Sequence, residues 1–267
     1  MRRLSTGLTV FWRSVLLAAC ALLLAGCGTL NSARMLAPSL SGMEEWRPGL
    51  FVEPAMSAAQ RQALEQQIAL GRAQVERFFG AIVTAPYFVA CISFDCARRF
   101  GSYGERAAAF GDSAIRLSPD GLQAALVAHE WSHAELYRRV GGWWRISAIP
   151  RWFDEGVAVV LADEARHSPA NWQEIQRRGL STPTLDELVT RRDWTEAVRR
   201  YGETRAEDPD NLRRVYSTAG HELRGWLACA GREGLAGLLA GVDQGQAFDA
   251  LYARLGCGGP GRISPAR

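Results

Sequence analysis

The sequence predicts an α+β fold, with short strands gathered in its first half and helices filling its second. Three observations support this. Alternating, β-branched and aromatic residues mark strands at 87–92 and 109–117, with an early strand at Leu50–Val52. Apolar residues at helical spacing run from Ser57 to Phe79, placing Leu64, Ile68, Val75 and Phe78 or Phe79 inward. After residue 118 the chain reads as helix upon helix, and the first of these carries His129-Glu130-Trp131-Ser132-His133.

That helix has clear boundaries. Ser118-Pro119-Asp120 offers an N-cap, a proline for the first helical position and an acid near the positive end of the dipole. Leu122, Leu126, His129, His133 and Leu136 or Tyr137 share one face, and Gly141-Gly142 stops the helix. A second helix starts after Pro150, in Arg151-Trp152-Phe153-Asp154-Glu155-Gly156-Val157-Ala158. Leu185 to Thr190 follows as a polar stretch, then helices near 211–229 and 232–240 and a last short one over 246–255. Trp143, Trp144 and Trp152 are expected in the core, and His167 in a solvent-exposed loop.

H-E-x-x-H is a metal-binding pattern with a mechanism. Positions four apart on a helix differ by about 40° in direction and about 6 Å in rise, so two imidazoles can close on one zinc ion. Glu130 then lies beside the metal, where it can take a proton from water activated there. Two histidines leave the site incomplete. Asp154 and Glu155 are adjacent on the next helix, and about 100° of rotation separates them, so one of the two can face the metal.

H-E-x-x-H followed about twenty residues later by Trp152-Phe153-Asp154-Glu155-Gly156-Val157-Ala158 is similar to the gluzincin metallopeptidases. These include the aminopeptidase N type, thermolysin more distantly, and compact peptidase-MA-like members. The resemblance covers about 100 residues, from the strand at 113–117 to the helix near 216–229. It implies a thermolysin-like core with a small N-terminal sheet and a mostly helical C-terminal half. It implies Glu155 as third zinc ligand beside His129 and His133, Glu130 as general base, and one zinc ion per chain. Asp154 is the fallback ligand or the partner that orients a histidine. Tyr216, 61 residues past Glu155, is the expected donor to the carbonyl oxygen, with His221 as its rival. The metzincin pattern fails, because Leu136 and Arg139 stand where it needs glycine and histidine. The G-x-M-x-N stretch by which aminopeptidases grip a free amine has no match in Phe110-Gly111-Asp112-Ser113-Ala114-Ile115, so endo- and exopeptidase action both stay open.

The first 26 residues read as a signal peptide, basic at Arg2, Arg3 and Arg13 and apolar from Val15 to Leu24. Leu24-Ala25-Gly26-Cys27 matches a bacterial lipobox, which makes Cys27 the lipid-modified N-terminus of a protein in the cell envelope. Gly28 after it fits sorting to an outer membrane, facing the periplasm. Residues 27–55 read as a tether, 56–257 as the catalytic domain and 258–267 as a Gly/Pro-rich tail. Removing the leader takes 31 basic residues to 28 against 28 acids, so the formal +3 falls to zero and nothing suggests nucleic-acid binding. The chain contains no lysine. Cys91, Cys96, Cys229 and Cys257 should pair outside the cytoplasm; of three connectivities, Cys91–Cys96 with Cys229–Cys257 is the expected one.

Two functions are compatible with this sequence. One is a zinc-dependent, membrane-anchored peptidase acting on a peptide or protein. The other is a catalytically idle zinc-binding lipoprotein serving as an envelope binding or assembly module. Oligomeric state is not encoded in any motif.

Overall fold

Five short strands form one mixed sheet in the computed structural model, which describes residues 34–203 and 212–257. They are β1 (Glu44–Arg47), β2 (Leu50–Val52), β3 (Tyr87–Ala90), β4 (Ala107–Phe110) and β5 (Ala114–Leu117), in the spatial order β1-β2-β3-β5-β4. The central strands β2, β3 and β5 run parallel, and β1 and β4 are antiparallel edges. Side-chain alternation divides the sheet into two faces. Phe88, Ala90, Ile115 and Leu117 enter the main core beneath the helices, whereas Val89 and Ala114 join Met35, Met43 and Phe100 on the other side.

Eight helices described from end to end accompany the sheet: α1 (Ala58–Phe79), α2 (Phe94–Arg99), α3 (Ala124–Arg139), α4 (Arg151–Ala162), α5 (Pro169–Arg177), α6 (Arg191–Arg200), α7 (Arg214–Asp243) and α8 (Phe248–Leu255). The fold is therefore α+β. In α1, Ser57 and Gln60 form a capping box and Gly80, at φ 83°, ends the helix. Its Leu64, Val75 and Phe79 are buried, as the periodicity requires. The long α7 is broken at Gly231 (φ 63°, ψ −171°), which separates the two helices expected in that region. Disulfides join Cys91 to Cys96 and Cys229 to Cys257, with Cα–Cα distances of 5.5 and 5.1 Å. No helix among the described residues is long and apolar enough to cross a membrane.

The structure corrects several boundaries. The stretch 109–117 is a hairpin rather than one strand, because Gly111-Asp112-Ser113 turns the chain and the Ser113 N–H donates to Phe110 O at 3.3 Å. The histidine helix begins at Ala124 and not at Ser118. Pro119–Gly121 forms a separate 3₁₀ turn, and the Ser118 hydroxyl donates to Glu105 O at 2.8 Å. Gln67 of α1 supplies the missing cap, its Oε1 accepting from the Ala124 N–H at 2.8 Å. Residues 44–52, within the expected tether, provide β1 and β2. Cys27, the leader and the tail at 258–267 lie outside the described residues.

Candidate metal centre

Helices α3 and α4 bring the two sequence motifs face to face. The imidazoles of His129 and His133 stand 5.1 Å apart, ring centre to ring centre. Glu155 Oε2 lies 3.4 Å from His129 Nε2 and 3.9 Å from His133 Nε2. Ligand atoms at about 2.0–2.1 Å from a tetrahedral ion are roughly 3.4 Å apart, so these separations are close to those that one bound metal ion requires. His129, His133 and Glu155 thus form a group able to hold a metal. The carboxylate supports this assignment: Glu155 Oε2 is buried and, among the described residues, has no hydrogen-bond partner, a costly arrangement that a cation would relieve.

Asp154 takes the orienting role. Its Oδ1 accepts from the His133 Nδ1–H at 2.7 Å, which leaves Nε2 turned toward Glu155. Arg151, one turn earlier on α4, donates to both Asp154 and Glu155. Burial opposes charge on all of these groups, but opposite charges outweigh it. Asp154 and Glu155 raise His133 to about 9. Arg151 with the histidines holds both carboxylates below the ordinary range.

Glu130, buried beside this group, lines the same cleft of about 1630 Å³ as His129, His133, Asp154, Glu155 and Tyr216. The cleft runs along β4, one of the two edge strands of the sheet, whose Ala107 to Phe110 form part of its wall. The Tyr216 phenol is raised well above its usual value by burial and by Glu155, so it keeps its proton and remains a donor.

Three expectations are overturned. His167 is 2% exposed, and it packs flat against Tyr216 at 5.1 Å. The loop after α4 folds back on the cleft and carries it inward. His221 faces solvent, stacked on Trp172 at 4.2 Å, away from the cleft lining. Trp152 is in the core as expected, but Trp143 and Trp144 are 74% and 87% exposed.

The sequence reading missed Arg151, Glu164 and His167. Arg151 was recoverable, because positions three and four apart on a helix are neighbours. Glu164 was not: its Oε2 accepts from Arg106 at 2.9 Å and Arg166 at 3.0 Å, and its Oε1 stands 4.0 Å from His129 Nδ1 and 3.9 Å from His167 Nδ1. Among the described residues, neither His167 nitrogen has a hydrogen-bond partner. Burial, then the positive charge of His129, Arg106 and Arg213, pushes His167 down to about 3, so it is neutral at ordinary pH.

Compared with protein-family models, curated proteins and solved structures, the chain matched none. The functional reading therefore stands on the site itself.

Proposed function

We propose that this protein is a zinc-dependent peptidase held to a bacterial envelope membrane through Cys27. The observation that carries the reading is the convergence of His129, His133 and Glu155 Oε2 in the cleft that Glu130 also lines, along the edge strand β4. Three protein ligands with cleft on the remaining side are the arrangement of a catalytic zinc rather than a structural one.

When bound, zinc supplies Lewis acidity, polarising a carbonyl and acidifying water at the site. The chain's own groups do the rest. Asp154 fixes the tautomer and direction of His133 through the 2.7 Å hydrogen bond. Arg151 balances the charge of the adjacent carboxylates in the buried wall. Glu130 accepts a proton from the attacking water and returns it to the departing amine. Tyr216, protonated and at the cleft surface, donates to the oxygen on which negative charge develops. The edge of β4 offers backbone N–H and C=O groups that can pair with an extended peptide, which favours a polypeptide substrate.

The test uses the full-length protein and its Glu130→Gln variant, with zinc content and cleavage of a peptide library measured on both. The expected result is one zinc per chain in each and hydrolysis in the parent alone. Equal cleavage by the two proteins would remove the general base from the scheme. Zinc in both with hydrolysis in neither would point to the binding-module function.

A further inference from the structure

We propose that Glu164 is the positioning residue for His129, as Asp154 is for His133. The inference rests on the zinc reading of the site and deepens it, because it assigns the other imidazole a partner from outside both motifs.

The two histidines are unequally provided for. His133 gives its Nδ1–H to Asp154 at 2.7 Å. His129 Nδ1 is buried and, among the described residues, has no hydrogen-bond partner. The other nitrogen of His129, Nε2, faces Glu155 Oε2 at 3.4 Å, within the group able to hold a metal. A neutral imidazole that ligates through Nε2 carries its proton on Nδ1, and an acceptor there fixes both the tautomer and the direction of the ring. Left without one, a buried N–H is costly.

Glu164 supplies that acceptor. Its Oε1 stands 4.0 Å from His129 Nδ1, and it too is buried with no partner among the described residues. Both side chains are only 9% exposed, too deep for bulk water to serve instead. The His129 ring therefore lies between two carboxylates, Glu155 at one nitrogen and Glu164 at the other. The gap to Glu164 exceeds a hydrogen bond by about 1 Å. Contacts of this kind are often long before a ligand arrives and tighten when it binds.

The surrounding fold holds Glu164 in this place. Asp163, at φ 51°, closes α4 by donating its N–H to Val159 O at 3.2 Å, and the chain turns back. Glu164 Oε2 then accepts from Arg106, the residue before β4, at 2.9 Å and from Arg166 at 3.0 Å. Arg224 of α7 ties down the far end of the loop by donating to His167 O at 2.8 Å. With Oε2 taken by two arginines, Oε1 is the oxygen left for His129. It also stands 3.9 Å from His167 Nδ1, and one carboxylate oxygen can accept from both rings. The two guanidinium groups outweigh the single charge of Glu164, so this carboxylate adds no net negative charge to a wall that already holds Asp154 and Glu155.

The test uses the full-length protein with ¹⁵N-labelled histidines and its Glu164→Gln, Asp154→Asn and Arg166→Gln variants. Zinc affinity is measured by competition with a chromogenic chelator. The Nδ1–H protons of the zinc-bound rings, and their exchange with water, are followed by NMR. In the parent both zinc-bound rings should show an Nδ1–H protected from exchange. Glu164→Gln should move the signal of His129 alone and lower zinc affinity about 10- to 100-fold. Asp154→Asn should move the signal of His133 alone. Arg166→Gln breaks one ion pair but keeps the carboxylate, so its affinity should stay close to the parent's. Unchanged affinity in Glu164→Gln, or an unmoved His129 signal, would overturn the assignment and leave the zinc site standing. An equal loss in Arg166→Gln would make the ion-pair cluster a support of the fold and also overturn it. If Glu164→Gln does not fold, the parent's spectrum decides: a single protected Nδ1–H on the zinc-bound rings, assigned to His133 by Asp154→Asn, sinks the role of Glu164. A parent that takes up no zinc overturns the zinc reading and this inference together.

Discussion

Asp154 Oδ1 lies 2.7 Å from His133 Nδ1, and this contact decides which imidazole nitrogen is left for a metal. A carboxylate accepts only, so Nδ1 keeps its proton, and a metal binds at Nε2 by displacing the second proton that the raised pKa of about 9 places there at neutral pH. Replacing Asp154 by asparagine preserves an acceptor of similar shape but removes the charge that strengthens the imidazole as a ligand. The expected effect is a loss of about 10- to 100-fold in zinc affinity, measured by competition with a chromogenic chelator. Unchanged affinity would mean that Asp154 serves the fold and not the ligand.

Tyr216→Phe removes one hydroxyl from a ring held between His167 and Trp194. The ring contacts survive, so the fold and metal content should not change. If the phenol donates to the developing oxyanion, kcat falls by roughly 10²–10³-fold while KM moves little. A fall confined to KM would assign the hydroxyl to substrate binding instead.

How much of this was legible beforehand depends on the distance along the chain over which each feature is written. His129, Glu130, His133, Asp154 and Glu155 sit on two helices whose apolar spacing is local, so their shared site could be anticipated. Arg151 obeys the same helical spacing, three and four residues before the two carboxylates it holds. The start of α3 was misplaced because its cap comes from Gln67, on another helix. His167 was misread because a polar loop after Asp163, a residue in the left-handed region at φ 51°, turns back against α7. Nothing in Arg166-His167-Ser168-Pro169 records that return. The bare tryptophans are the reverse case: an aromatic pair suggests burial, but Gly141 and Gly142, at φ 91° and 71°, lift it out of the core.

Buried neutral His167 has a consequence for acid stability. Its pKa falls from 6.5 to about 3 on folding, so the unfolded chain binds a proton that the folded protein refuses. Stability is then lost as pH falls below 6.5, and the loss levels off near 3. A His167→Phe variant keeps the stacking on Tyr216 without a titrating group. Its unfolding free energy should gain on the parent by up to about 1.4 kcal/mol per pH unit across that window. Urea titrations of both proteins at several pH values would show this, and parallel curves would mean that His167 titrates normally.

Gly156 has a packing reason for its place next to Glu155. A Cβ there would stand 2.8 Å from Ala219 O and 3.3 Å from Leu223 Cβ, so α4 and α7 approach closely only because the side chain is missing. Gly225 is also helical and on α7, but a Cβ there meets nothing within 4 Å. The two substitutions should therefore differ in sign. Gly156→Ala forces the helices apart and costs about 1–3 kcal/mol, whereas Gly225→Ala gains about 0.5–1 kcal/mol from helix propensity. Because Glu155 and Tyr216 ride on these same helices, the first change should also weaken zinc binding and the second should leave it intact. Chemical denaturation paired with zinc titration separates the cases. If both alanines stabilise the protein equally, α4 and α7 are not packed through Gly156 and the cleft wall must be drawn differently.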